Sequence, residues 1–472
     1  MVCICESFAN QFHQNRSPLD VNIFKAKTLK QRAIQASIWA FSGHLLSQLI
    51  RLGSNLIMTR LLLPEVFGIM AIANVIITGL NLFSDLGLRQ NLVRSKRAED
   101  PIYLNTLWTI QILRGLAIFS FGMVASLVFY VLGHFNLIAA GTAYADVSIP
   151  LVIAALSFNA VISGFQSTKL GLSGRQLDLG RVISIDICCQ IAGIILMVAV
   201  AYSYPSVWAL IVGSLFTSAL KVLLSFIAVP GSGNNLHWDS DIFDEIFHFG
   251  KWIFLTSILG FLVNNGDRVL LGGLVDAKTF GLYAIAFLMI GSIQELFNKV
   301  IGTVAFPALS EVVRERPHDL KKTYYKFRLP IDIGTLLSAG LLFMAGHLVI
   351  DILYDERYKA AGRMFEILCI SMVMDRYSLA MQSFMAISKP KLLVPVSTAR
   401  LVLIYTGVPV AFHYSGLNGA LWAIVASRVA VLPIIFYLKI KNHLFDLNYE
   451  VGITIFLLAG FVLGYLIKWL FA

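Results

Sequence analysis

Eight basic side chains interrupt apolar stretches of this sequence, where a charge needs a partner or a polar cavity. Lys221 and Lys299 lie near the ends of their stretches, so their ammonium groups can reach water along the helix. The other six are Arg51, Arg114, Arg268, Arg376, Arg400 and Arg428. A guanidinium stays charged, and its planar fork binds phosphate through paired hydrogen bonds. We predict that these six arginines line an anion-binding cavity; for each one, a salt bridge that fixes helix packing is the alternative.

Carboxylates inside the same stretches are scarcer than bases at mid-stretch, so such a cavity suits an anion better than a cation. Asp85, Asp267 and Asp375 are our candidates for coupling or gating groups. Asp267 precedes Arg268, and Asp375 precedes Arg376. Because neighbouring positions on a helix point about 100° apart, neither sequence pair need form a salt bridge.

The composition describes the elements that hold these residues. Of 472 residues, 57% are hydrophobic and 14% are charged, against roughly 25% charged in soluble domains. Most soluble enzymes are thereby excluded, and the net charge of +10 is not gathered on a polar domain that could bind nucleic acid. Apolar runs too long for barrel strands predict about thirteen transmembrane helices. They span residues 34–60, 66–88, 105–131, 147–168, 180–201, 205–228, 249–272, 279–301, 329–349, 362–386, 391–412, 417–438 and 450–470.

The distribution of Lys and Arg between the loops predicts the orientation. Most loop bases fall on the side of the N-terminus, which we therefore expect in the cytoplasm of a bacterial inner-membrane protein. The polar tail, 1–30, lacks the apolar core of a cleaved signal peptide. The predicted outer loops are short, which counts against a membrane glycan polymerase or transferase.

An internal repeat links the two halves of the chain. Phe67-Gly68 and Phe280-Gly281 lie 213 residues apart, and each is followed by Ala-Ile-Ala at the same spacing. Both copies fall at the outer turn between the first and second helices of a six-helix set. An even number of helices per repeat gives two copies of one topology, as in secondary transporters with a central cavity.

Several motifs of enzyme chemistry are missing from the sequence. It contains no phosphate-binding G-x-x-x-x-G-K-[ST], no G-x-S-x-G nucleophile elbow and no H-E-x-x-H. The five cysteines form no C-x-x-C, and no Cys/His cluster has metal-ligand spacing. We expect no catalytic residues, no cofactor and no metal.

Local patterns within 34–114 are similar to those of a known family. They are Arg60-Leu-Leu-Leu-Pro-Glu-Val-Phe-Gly68, Phe83-Ser-Asp-Leu-Gly-Leu88 and Asn105-Thr-Leu-Trp-Thr-Ile-Gln-Ile-Leu-Arg-Gly115. Phe280-Gly-Leu-Tyr-Ala284 and Phe306-Pro-Ala-Leu-Ser310 fit as well. The chain resembles polysaccharide flippases of the multidrug/oligosaccharidyl-lipid/polysaccharide exporter superfamily, particularly the colanic-acid exporter type.

The resemblance implies an all-α polytopic fold of two six-helix lobes around a central cavity. We expect a tail at 1–30, lobes at 31–230 and 231–440, and one extra helix within 441–472, where relatives have none or two. The implied activity is flipping of undecaprenyl-diphosphate-linked oligosaccharide from the cytoplasmic to the periplasmic leaflet, by alternating access, for exopolysaccharide or O-antigen assembly. The implied partners are this substrate, membrane lipids and polysaccharide polymerase or assembly proteins.

Three other functions stay open on the sequence alone. The first is an ion-coupled antiporter of drugs or organic cations with the same fold, which calls for a net acidic cavity. The second is a membrane glycan polymerase or transferase, which calls for a sizeable outer loop. The third is a non-catalytic scaffold of a polysaccharide assembly complex.

Overall fold

The computed structural model describes residues 29–471, apart from 96, 177, 232 and 388. Within that part of the chain every regular element is helical and none is a strand, which confirms the predicted all-α class. All of the predicted polar tail except its last two residues lies outside the described residues.

The longer helices follow the apolar runs of the sequence. In the first half they are α1 (Leu29–Leu61), α2 (Pro64–Phe83), α3 (Pro101–His134), α4 (Ile149–Gly164), α5 (Leu179–Ser203) and α6 (Val207–Ile227). In the second half they are α7 (Ser240–Gly272), α8 (Ala277–Val300), α9 (Phe306–Glu315), α10 (Leu320–Leu353), α11 (Lys359–Cys369), α12 (Ser378–Ala386), α13 (Leu393–Val429), α14 (Leu432–Lys441) and α15 (Ile455–Phe471).

Each predicted span overlaps one or more of these helices. Residues 362–386 form α11 and α12, joined by the 3-10 turn Ile370–Tyr377. The backbone of α13 breaks at Ser415 and at Gly416, whose φ of 58° favours glycine, so α13 covers parts of two predicted spans. Eight described helical segments are long and apolar enough to cross a membrane, or nine if the bent pair Ile149–Gly164 and Thr168–Arg175 counts as one. The chain is a multi-pass membrane protein.

The chain divides into two compact units whose boundaries cut through helices. The first unit comprises Met1–Met58, Ile77–Val128 and Pro150–Ser257, and the second comprises Thr59–Ile76, Phe129–Ile149 and Ile258–Ala472.

Small residues set the helix contacts of the first unit. A Cβ on Gly193 of α5 would lie 1.8 Å from Thr217 Oγ1 of α6, and a Cβ on Gly115 of α3 would lie 2.5 Å from the Ala160 carbonyl of α4. Such contacts bring helix backbones together where apolar burial gives little net attraction in lipid. Gln111 of α3 donates to carbonyls at the bend after α4.

The repeated Phe-Gly motif forms a backbone contact in the second unit. A Cβ on Gly68 would lie 2.1 Å from the Ala277 carbonyl oxygen, and one on Gly281 would lie 1.8 Å from the Pro64 carbonyl oxygen. The first turns of α2 and α8 therefore meet through these two glycines. The sequence repeat thus marks a place where its two copies face each other.

A loop after α10 fastens the turn between α1 and α2. Arg357 donates to the carbonyls of Thr59 and Arg60 at 3.0 and 3.1 Å, and Tyr358 donates to that of Leu62 at 2.9 Å. Arg357 also pairs with Asp355, which holds the pKa of that carboxyl below its usual range.

The extra C-terminal helix packs inside the second unit. A Cβ on Gly340 of α10 would lie 2.4 Å from the Leu457 carbonyl oxygen, and Gly460 and Gly464 of α15 meet the α10 backbone equally closely. The Gly460-x-x-x-Gly464 pattern is therefore a packing face within the chain.

Two helical glycines provide a matched test of the repeat contact. A Cβ at Gly407 would meet no atom within 4 Å. Because alanine favours a helix more than glycine does, Gly407→Ala should raise the unfolding free energy by about 0.5–1 kcal/mol. Gly281→Ala must push α2 and α8 apart and should lower it by about 1–3 kcal/mol. Thermal unfolding in detergent measures both, and equal shifts of the same sign would contradict the contact.

Candidate functional site

A polar recess inside the second unit collects several of the predicted residues. Its polar lining comprises Asp267 of α7, Gln294 of α8, Ser371 after α11, and Arg400 and Arg428 of α13. Apolar side chains complete the wall: Phe287, Ile290, Leu368, Ile404 and Ile424. The spacings 287–290–294, 400–404 and 424–428 follow the helical period, so each helix presents one face to this second-unit recess.

Hydrogen bonds fix the two carboxylates at the recess. Asp375, after α11, accepts from Gln294 Nε2 at 2.8 Å and lies 3.6 Å from Arg428 Nη1. Asp267 is 6% exposed and accepts a hydrogen bond from Tyr283. Neither aspartate pairs with the arginine that follows it in sequence: Arg268 instead stacks on Phe287, 4.1 Å from the ring centroid.

A guanidinium at this recess is left without a partner. Arg400 and Arg428 line the recess with Asp267, and among the described residues Arg428 ion-pairs with Asp375. In the part of the chain that the structure describes, Arg400 makes no hydrogen bond and no ion pair, and its Nε is buried without a partner. Asp267 and Asp375 act on it only through longer-range attraction. The recess can therefore accept an additional negative charge.

The recess is nearly closed in this conformation. Its volume is about 10 Å³, roughly what one water molecule needs. Any larger anion must therefore enter a wider form of the second unit.

A second group of charges in this unit is buried and linked by ion pairs, with three cations sharing two carboxylates. Glu450 accepts from Arg328 Nη2 at 2.8 Å, from Tyr377 at 3.0 Å and from Arg376 at 3.3 Å, and it also pairs with Lys439. Asp332 lies 3.0 Å from Arg328 Nε. We call Arg328, Asp332, Arg376, Lys439 and Glu450 the Glu450 cluster. It joins α10, α14 and the short helix Leu447–Gly452 that leads into α15.

Sequence reasoning missed most of the Glu450 cluster. Arg328 and Lys439 lie at the ends of apolar runs, where they resemble loop charges, yet both side chains are 0% exposed. Glu450 at the start of the last apolar run was a signal that a buried cation would be needed. Arg376 belongs to this cluster, and its ionic partner is Glu450.

The remaining predicted residues lie in the first unit. Arg114 of α3 donates to Ser84 Oγ at 3.2 Å and to the Asn81 carbonyl at 2.8 Å. Asp85 accepts from the Gly87 amide at 2.9 Å and so shapes the turn after α2. Arg51 is exposed on α1. No group of three or more metal-ligating side chains was found among the described residues.

Comparison with known proteins assigns the chain to a family. The family model described as "Polysaccharide biosynthesis protein" matches residues 57–363, which is more than half of the chain. The chain belongs to this family. It is also 27% identical over 395 residues to a putative O-antigen transporter of Shigella flexneri, covering 78% of this chain and 88% of that protein.

Solved structures confirm the fold. The lipid II flippase MurJ in an inward closed conformation is similar at TM-score 0.64 and 15% identity, covering 91% of this chain and 97% of that one. An inward-facing multidrug-resistance transporter of the MATE family is similar at TM-score 0.61 and 14% identity, with coverage of 84% and 94%. The latter belongs to the superfamily expected from the sequence, whose fold this chain shares.

The Glu450 cluster should dominate the stability of the second unit. Glu450→Gln keeps the side-chain shape but leaves three buried cations without their shared anion, so the unfolding free energy should fall by about 3–5 kcal/mol. Asp446→Asn is the matched control, because Asp446 is 41% exposed, its ion pair with Lys321 spans 3.8 Å, and asparagine can still cap the helix. It should change the free energy by no more than about 0.5 kcal/mol. Equal melting temperatures for the two variants would show that the cluster is not stabilising.

Proposed function

We propose that this protein flips undecaprenyl-diphosphate-linked oligosaccharide units from the cytoplasmic to the periplasmic leaflet, for exopolysaccharide or O-antigen assembly. The observation that carries the proposal is the unpartnered Arg400 guanidinium beside Arg428 in the second-unit recess. Family membership and the similarity to an O-antigen transporter support it from outside the structure.

The diphosphate would supply the ionic partner that Arg400 lacks. Arg400 offers an unused fork to one phosphate, and Arg268 can leave its ring stack to approach the other. Charge-assisted, bidentate contacts of this kind are strong and directional. The prenyl chain stays in the bilayer, because its transfer from lipid into a protein site would gain little free energy.

Asp375 gives the site a switch. In the closed recess, its Oδ1 lies 3.6 Å from Arg428 Nη1 and forms an ion pair with it. A bound phosphate competes for the same guanidinium, so binding loosens Asp375 from Arg428 and favours the wider form. Asp267 and Asp375 are then the groups through which an ion gradient would couple to opening. Asp85 is the corresponding candidate in the first unit.

Transport needs no covalent step, and we propose that the protein is not an enzyme. Alternate opening of two repeats toward the two sides of an inner membrane moves the sugar with its diphosphate. The N-terminus would lie in the cytoplasm, and a polymerase or assembly protein would take over the delivered unit. An antiporter of organic cations would need excess acid at its site, whereas the described lining of the second-unit recess holds Arg400 and Arg428 against Asp267.

Arg400→Gln should reduce the surface polysaccharide of cells that depend on this protein at least about tenfold, because one charge-assisted contact to the substrate contributes roughly 1.5–3 kcal/mol. Arg400→Lys keeps the charge but loses the planar guanidinium fork, so its surface polysaccharide should lie between that of Arg400→Gln and that of the wild type. Cell-surface glycan is measured at matched expression.

Lys221→Gln is the control, because Lys221 lies in the first unit and already pairs with Asp186 at 2.7 Å. This substitution should leave export unchanged. Wild-type export by Arg400→Gln would remove the basis of the proposal.

A further inference from the structure

A second concave feature lies wholly within the first unit. It is a groove of about 340 Å³ between the end of α2, one face of α3 and the segment that opens α7. Its wall is aromatic, with Phe83, Phe121, Trp238 and Phe243. We call this feature the first-unit groove. Its volume falls within the range of about 300–1,000 Å³ that small-molecule sites occupy.

The aromatic wall is open. Phe121 is 61% exposed and Trp238 is 47% exposed, while the Trp238 and Phe243 rings lie 4.8 Å apart. A contiguous apolar surface in a membrane protein is stable when hydrocarbon covers it. A lipid chain lying along the groove would meet that need.

One cation stands in this apolar setting. Arg114 lines the groove and donates from Nε and Nη2 to Ser84 and to the Asn81 carbonyl, both uncharged acceptors. Among the described residues Nη1 makes no hydrogen bond, and no carboxylate forms an ion pair with Arg114. Asp85 attracts it only at longer range, and its Oδ1 accepts from the Gly87 amide. The groove thus presents one guanidinium with donor capacity beside a surface for hydrocarbon.

We propose that the first-unit groove binds a membrane phospholipid, with its single phosphodiester on Arg114 and an acyl chain against Phe121 and Trp238. One guanidinium complements one phosphate. A diphosphate would bring a second phosphate, whereas Arg114 is the single basic side chain in the described lining of the groove. The exposed acids Asp241, Asp244 and Glu245 on the first turns of α7 also oppose a multiply charged headgroup. This site does not depend on the proposed transport function.

Quenching of Trp238 fluorescence by brominated lipids tests the site in the full-length protein in detergent. The difference between the wild type and Trp238→Phe isolates the signal of this ring. Brominated phosphatidylglycerol should quench it, and Arg114→Gln should raise the midpoint concentration about tenfold. Ala117→Leu, which fills the groove with Arg114 intact, should weaken quenching as well. Arg181→Gln, a basic residue of α5 that ion-pairs with Asp178, should not change the midpoint.

Two results would overturn the proposal. If brominated diacylglycerol quenches as well as brominated phosphatidylglycerol and Arg114→Gln has no effect, the groove makes only the nonspecific lipid contact of any apolar surface. Displacement of the brominated phospholipid by a polyprenyl diphosphate at lower concentration than by phosphatidylglycerol would assign the groove to the transported lipid.

Discussion

An ionised side chain inside a membrane protein costs several kcal/mol unless an opposite charge, hydrogen bonds or water compensate it. The second unit of this protein meets that constraint in two different ways. In the Glu450 cluster, three cations share two carboxylates at 0–5% exposure, with tyrosine rings around them. In the second-unit recess, Arg400 has no partner within the described chain. The first arrangement holds helices together, and the second leaves charge available to a ligand.

This contrast separates arginines that look alike in the sequence. Arg376 and Arg428 both lie deep in apolar segments, yet Arg376 ion-pairs with Glu450 and Arg428 ion-pairs with Asp375 beside the recess. The Glu450 cluster also ties the last helix into the second unit. Glu450 precedes α15 and anchors it to α10, and the glycine face of α15 then completes the contact. The last helix is therefore part of the second unit's scaffold.

The fold was predictable because its main signal is the series of long apolar runs, which can be read from the sequence without knowing any contact. The Phe-Gly repeat falls just after the α1–α2 and α7–α8 turns, as predicted, and only glycine permits the close backbones found there. Partners were less predictable. Asp375 and Arg376 are adjacent but point to different neighbours, and Arg328, Lys439 and Glu450 meet across 122 residues of chain. Which charges meet depends on helix rotation, which hydropathy does not encode.

The central claim is that the chain moves a lipid-linked, diphosphate-bearing oligosaccharide across a membrane by binding rather than by chemistry. The most direct test places purified protein in vesicles whose outer leaflet carries such a lipid and follows how much of the sugar becomes protected from an added glycan-cleaving enzyme. Protection should rise in vesicles that contain the protein, and the recovered lipid should be chemically unchanged. The account is contradicted if sidedness matches that of protein-free vesicles, or if the recovered glycan has been lengthened or transferred.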